Sequence, residues 1–429
     1  MRIACFTNTY LPHVGGVARS VATLEAACRS RGHDVRVVAP DFENAQPAPN
    51  VLRVPAIQNF NGSDFSVRLP IPSVIREYVE NFHPDIIHSH HPFLLGDAAL
   101  RESWKMRRPL VFTHHTLYER YTHYVPLDSP ALKRAAIQLA TEYANLCDQV
   151  IAPSASIAEM LRERGVETAI EVIPTGVDTA FFAAGDGARF RQRLGLDAAA
   201  DVIGHVGRLA REKNLMYLAE AVALRLRDDL SSVFLLVGDG DVREEAAAVV
   251  RSATGDSRRV VVPGKLIGQD LADAYAAMDC FAFASQTETQ GLVLAEAMAA
   301  GCPVVALDGP GVREIVQHGV NGYLLAGHAP PAEFAAALRR FAEDTEVASH
   351  CSAQARQSAL AFDTDRCLTR LLACYERLVR SYRATTPPDP LSWDRLLASL
   401  EIEWNLIVEK WAAAAAAMSE TGTTKSRRE

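Results

Sequence analysis

One pattern constrains the fold of this chain more than any other: short apolar strands alternate with helices, and the alternation starts twice. Arg2–Thr7 reads as a strand, a loop follows that ends in Gly15-Gly16, and a helix runs from about Val17 to Arg29. Val35–Ala39 is the next strand, and Asp85-Ile86-Ile87-His88, Leu110-Val111-Phe112 and Gln149-Val150-Ile151 are further buried strands, with helices such as Ala131–Leu146 between them. The pattern restarts after Pro174-Thr175-Gly176. Val202–Val206 is a strand, a helix begins near Asn214, and Val233–Val237 ends in Gly238-Asp239-Gly240. Val260–Val262, Cys280–Ala284 and Val304–Ala306 complete a second set, with helices expected over Asp270–Met278, Leu292–Ala300 and Val312–His318. Strands that alternate with helices build parallel sheets. The expectation is therefore an α/β chain with two doubly wound sheets in series and a cleft between them. Open parallel sheets bind ligands at the carboxyl ends of their strands.

Size and charge agree with that reading. A chain of 429 residues exceeds one ordinary core. A net charge of -8 disfavours nucleic acid as a partner. The eight cysteines, at 5, 28, 147, 280, 302, 351, 367 and 374, form no C-x-x-C pair, and several sit in apolar runs, which reads as buried thiols in a reducing compartment. The start, Met-Arg-Ile-Ala-Cys-Phe, reads as a strand and not as a signal peptide, and no apolar stretch is long enough to span a bilayer. A cytoplasmic protein is expected, in peripheral contact with the inner face of the membrane. Thr364–Tyr382 reads as a last helix of the body, residues 384–390 as a proline-rich linker, Leu391–Met418 as an extra helix carrying Trp393, Trp404 and Trp411, and residues 419–429 as a disordered tail.

The densest chemistry lies between Gln286 and Val305. Glu288 falls in a loop after a strand, and Glu296 on the second turn of the next helix. The intervening loop runs through Gly291 into Leu292 and Val293, where a helix N-terminus offers free N–H groups and a dipole to a phosphate. A carboxylate on the helix can accept from both hydroxyls of a ribose, and the loop carboxylate can do the same for a sugar ring. Taken as a bare spacing, the two acids would more readily be read as unrelated acids at a solvated helix start. Gly207-Arg208 and Lys213-Asn214 follow the first strand of the second set, where two cations can neutralise a departing diphosphate.

The order of these motifs resembles that of the retaining glycosyltransferases of family 4, from about residue 1 to 382. The carriers are Gly15-Gly16-Val17, Pro174-Thr175-Gly176-Val177-Asp178, Gly207-Arg208 with Lys213-Asn214, Val237-Gly238-Asp239-Gly240, Val262-Pro263-Gly264, and Glu288 to Glu296 running into Gly301-Cys302-Pro303-Val304-Val305. The resemblance implies a GT-B fold: an acceptor-side Rossmann-like domain over residues 1–178, a donor domain over 179–363, and a crossover helix over 364–383. It implies that Glu296 holds the ribose, Glu288 the donor sugar, and Arg208 and Lys213 the diphosphate. Gly15 and Gly16 would let backbone approach the phosphates, and Lys265 and Leu266 would border the base. The histidine near sugar and acceptor maps to His115, with His114 as the adjacent candidate. The resemblance implies no metal and no cofactor beyond the nucleotide-sugar, expected to be a UDP-hexose.

The stretch Tyr118, Tyr121, Tyr124 resembles the corresponding part of bacterial diacylglycerol glucosyltransferases, and Thr287–Leu292 is similar to theirs. Tyrosine suits a membrane interface, although these rings could instead pack the first domain. The expected acceptor is therefore a lipid such as diacylglycerol, with phosphatidylinositol, a glycan or a small polar molecule as alternatives. The tryptophan-bearing terminal helix has acids at Asp394, Glu401, Glu403 and Glu409 against Arg395 and Lys410, which suits packing on the body or a partner more than an anionic membrane. A UDP-sugar epimerase of the same architecture would lack this Glu288–Glu296 and Arg208/Lys213 set, and a non-catalytic binding module would have lost part of it.

Overall fold

The computed structural model describes residues 1–13, 15–42, 44–57, 67–68, 72–120 and 130–382. Its strands are β1 (Arg2–Phe6), β2 (Asp34–Pro40), β3 (Val51–Val54), β4 (Ala56–Ile57), β5 (Val67–Arg68), β6 (Ile86–Ser89), β7 (Leu110–Thr113), β8 (Gln149–Ala152), β9 (Ile170–Val172), β10 (Asp201–Val206), β11 (Ser232–Val237), β12 (Val260–Gly264), β13 (Cys280–Phe283), β14 (Val304–Leu307) and β15 (Gly322–Leu325). Seven form one sheet in the order β3-β2-β1-β6-β7-β8-β9, and six form a second in the order β12-β11-β10-β13-β14-β15. Every neighbouring pair in both sheets is parallel, and among the described residues only the small β4–β5 ladder is antiparallel. The central strands are valine-, isoleucine- and phenylalanine-rich and buried on both faces, because helices cover each side. The two-sheet α/β architecture expected from the sequence is the one observed.

In each sheet the chain starts in the middle, winds outward one way, then returns to wind the other way. The reversals fall between β1 and β6 and between β10 and β13. There the connections leave in opposite directions and open a crevice at the strand ends.

The two sheets are joined twice. The segment around Val177 runs beside Asp363, with the Val177 N–H donating to Phe362 O at 2.8 Å and the Thr364 N–H donating to Val177 O at 3.0 Å. From there the last helix, Thr364–Ser381, returns to the first sheet. It buries Leu368, Leu371, Leu372, Cys374 and Tyr375 against Ile3, Cys5, Val35 and Val37. All eight cysteines are buried and free.

The helix expected over Val312–His318 is replaced by turns at 311–315 and an isolated bridge from His318 to Gly322. Gly311 and Gly319 both take positive φ, at 72° and 75°. The Asn321 side chain accepts from the Gln317 N–H at 2.8 Å and donates to Ile315 O at 2.9 Å, which occupies backbone groups a helix would need.

Candidate functional site

The half of the candidate site that the sequence reading assigns to the donor lies at the reversal between β10 and β13. Gly207-Arg208 follows β10, and Glu288 lies in the loop after β13. Lys213 closes a short 3-10 turn and donates from Nζ to Glu288 Oε1 at 2.6 Å, with both side chains only 16% exposed. Burial works against ionisation of Glu288, but the Lys213 ammonium outweighs it and holds the carboxyl below its usual range. Arg208 pairs with Glu212 at the same crevice. Lys213, assigned to the diphosphate, and Glu288, assigned to the sugar, are thus brought together although they lie 75 positions apart, and Arg208 stands in the same loop as Lys213.

The loop beyond Glu288 turns into the helix Leu292–Ala299 through Gly291, whose φ of +74° suits glycine. The first N–H groups of that helix, at Leu292 and Val293, have no partner within it. Leu266, Leu292 and Val293 pack on one apolar cluster, and Lys265 beside them is exposed. Glu296, one turn on, is almost completely buried. Its Oε2 accepts from the Tyr275 hydroxyl at 2.7 Å, and its Oε1 accepts from Arg19, which comes from the other domain.

The first domain presents its own strand ends to this surface. Gly15 caps the helix Gly16–Ser30, and Gly16 is exposed with open space where a β-carbon would stand. Arg19 follows on the first turn. His114 and His115 follow β7 and are separated by the geometry. His114 is buried, edge-on to Phe112 and Tyr118 at 5.8 Å from each. His115 faces the donor loop: its carbonyl accepts from Thr289 Oγ1 at 2.9 Å. Its Nε2 bonds His90 Nδ1 at 2.9 Å. Burial pushes both imidazoles well down, so this pair is neutral at ordinary pH.

Other contacts tie the donor loop to the first domain. Ser154 Oγ donates to Thr289 O at 2.8 Å. Gln290 makes two bonds to the backbone of the domain connection, accepting from the Thr175 N–H at 2.7 Å and donating to Thr175 O at 2.8 Å. A cavity of about 180 Å³ opens between the domains, lined in part by Arg19, Thr23, Asp178, Phe181 and Glu296.

Tyr118 departs from the expected interfacial role. It is 7% exposed and packs edge-on against Phe93 and His114, as a core aromatic does. An aromatic at that spacing could be read either way, and packing decides it. Tyr121 and Tyr124 lie outside the described residues, as do the linker, the tryptophan-bearing helix and the tail. Sequence reasoning also missed Arg19, Tyr275, Gln290 and His90. Arg19 sits three residues beyond Gly16 and Gln290 lies within the Glu288 loop, so both were within reach of the motifs. Tyr275 stands in an alanine-rich helix and carries no signal of its own.

Comparison with known proteins agrees with this geometry. The profile of Glycosyltransferase Family 4 matches residues 14–181, and that of Glycosyl transferases group 1 matches residues 200–344. An alpha-monoglucosyldiacylglycerol synthase of Streptococcus pneumoniae is 29% identical over 338 residues, covering 76% of each chain. A GDP-mannose-dependent alpha-mannosyltransferase of Corynebacterium glutamicum is 31% identical over 339 residues, again covering 76% of each chain. Among solved structures, Anabaena Alr3699/HepE in complex with UDP superposes with a TM-score of 0.71 at 24% identity, covering 88% of this chain and 100% of that one. Two family profiles in the right order, one on each sheet, and relatives aligned across both place the chain among the family 4 glycosyltransferases of GT-B fold.

Proposed function

We propose that this enzyme is a retaining hexosyltransferase that moves glucose from UDP-glucose to a lipid hydroxyl, such as that of diacylglycerol, in peripheral contact with the cytoplasmic face of a membrane. The observation that carries the donor side is the Lys213–Glu288 ion pair, with Arg208 paired to Glu212 in the loop that carries Lys213 and with Thr289, next to Glu288, bonded to the His115 carbonyl. In this reading Arg208 and Lys213 hold the diphosphate, Glu288 the sugar, and Glu296 the ribose. Gly15 and Gly16 admit the phosphates, while Lys265 and Leu266 border the base. In this reading no side chain acts as a covalent nucleophile, and the acceptor hydroxyl attacks the face from which the diphosphate leaves. A diphosphate oxygen takes the acceptor's proton, and the two cations stabilise the charge that builds on it. The lipid acceptor is supported by the similarity to the glucosyldiacylglycerol synthase. No helix among the described residues is long and apolar enough to cross a membrane.

A second reading, a mannosyl donor carried on GDP, is favoured by the equally extensive match to the mannosyltransferase. Turnover across UDP-, GDP- and ADP-sugars, with diacylglycerol vesicles, phosphatidylinositol vesicles and soluble acceptors, separates the two. The product's anomeric proton in NMR is expected to show an α-linkage; a β-linkage refutes retention. Transfer only to soluble acceptors refutes the lipid assignment.

A further inference from the structure

The environment of Glu296 contains more than a ligand for ribose. Its carboxylate has two oxygens with two different partners. Oε2 receives the hydroxyl of Tyr275 at 2.7 Å from within the donor domain, and Oε1 receives Arg19 from across the cleft. Tyr275 itself cannot move easily. It is fully buried, its ring lies edge-on to Phe182 at 5.5 Å, and it is tilted against Phe281 at 5.8 Å. A phenol has one proton to donate, so it fixes one oxygen and leaves the other turned outward. Burial, reinforced by the Glu296 carboxylate, pushes the Tyr275 hydroxyl far above its ordinary range, which keeps it a donor at every working pH. A glutamate held at one oxygen loses most of its rotational freedom before the ligand arrives, so less is lost on binding.

We propose that Tyr275 is the positioning residue of the nucleotide site: its hydroxyl pins Glu296 Oε2, so that Oε1 is presented to the ribose hydroxyls, which take it over from Arg19. This rests on the reading of Glu296 as the ribose ligand. Tyr275 acts through Glu296 and touches no part of the donor. Its contribution is therefore confined to ligands that use the Glu296 carboxylate, which distinguishes positioning from a general role in packing.

The test is calorimetric titration of wild type, Glu296→Gln and Tyr275→Phe with UDP and GDP and with the 2′,3′-dideoxy forms of both. Tyr275→Phe keeps the ring and removes only the hydroxyl. It is expected to weaken the preferred ribonucleotide about tenfold, the worth of one hydrogen bond to a charged group, and to change the dideoxy form less than twofold. Glu296→Gln is expected to weaken the ribonucleotide at least as much. If Glu296→Gln leaves affinity unchanged, or neither nucleotide binds wild type, the donor-site reading itself falls. If Glu296→Gln weakens binding but Tyr275→Phe does not, or weakens both nucleotide forms equally, the donor-site reading stands and the positioning role is overturned. The ratio of ribo- to dideoxy-affinity within one variant is insensitive to a shared loss of folded protein, so the comparison holds even for a destabilised Tyr275→Phe.

Discussion

At the scale of single residues, the site is a set of charges that balance one another before any ligand arrives. Lys213 neutralises Glu288, Arg208 pairs with Glu212, and Arg19 meets Glu296. In the proposed reaction, a diphosphate that gains charge as it leaves makes Arg208 and Lys213 more useful in the transition state than in the ground state. Arg208→Ala and Lys213→Ala are each expected to lower kcat about a hundredfold or more, comparable with loss of one oxyanion-hole donor. The apparent donor constant should rise much less. Steady-state turnover at saturating donor checks this, and normal turnover in both variants refutes the role. A pH signature accompanies Lys213→Ala. In wild type the Glu288 carboxyl is depressed, so the pair's contribution is complete above the ordinary glutamate range and lost as pH falls through the lower, folded value. Without the Lys213 ammonium the opposing effect of burial gains weight, so Glu288 should protonate at higher pH. The acid limb of the kcat/KM profile should move upward in Lys213→Ala, and an unmoved limb would show that the ammonium does not govern Glu288.

At the scale of elements, the reversals of the two sheets and the return of the last helix decide which loops can meet. Gly176 shows how tightly the two domain connections fit. A β-carbon there would lie 2.4 Å from the Thr364 Cα, at the start of the returning helix. Backbone on both sides cannot yield cheaply, so Gly176→Ala is expected to cost about 1–3 kcal/mol and to lower the thermal unfolding midpoint by roughly 2–6 °C. Scanning calorimetry checks it, and an unchanged midpoint would show that the two connections separate freely. Most strands were legible from their apolar runs, because burial on both faces demands such residues. The helix expected over Val312–His318 was not, because its apolar spacing is helical while Gly311, Gly319 and the Asn321 side chain commit the backbone to turns.

At the scale of the whole molecule, polar contacts around the donor loop link the two domains across the cleft. Arg19 reaches Glu296, Gln290 grips the Thr175 backbone, and Ser154 and His115 hold Thr289. If the halves part by bending at the connections, these contacts oppose the opening. The double variant Arg19→Ala/Gln290→Ala is expected to have a larger radius of gyration than wild type in small-angle X-ray scattering without nucleotide. Equal radii would mean that closure rests on other contacts.

What the sequence determined by itself was local and periodic. Apolar runs with glycine-bearing loops between them set two parallel sheets, because strand burial and turn geometry are read within a few residues. Motifs such as Glu288 to Glu296 and Gly207-Arg208 are compact in the chain, and it was their order together, with the family resemblance it carries, that marked them as candidates, since each taken singly could be an unrelated set of charges. The tertiary structure decided everything that depends on which loops face each other. It turned His115 to the donor loop and buried His114, moved Tyr118 from an interface to a core, and joined Tyr275 and Arg19 to the same carboxylate. Those pairings join residues as many as 277 positions apart. No local pattern encodes such a distance, since it depends on how two separate sheets face each other in the folded chain.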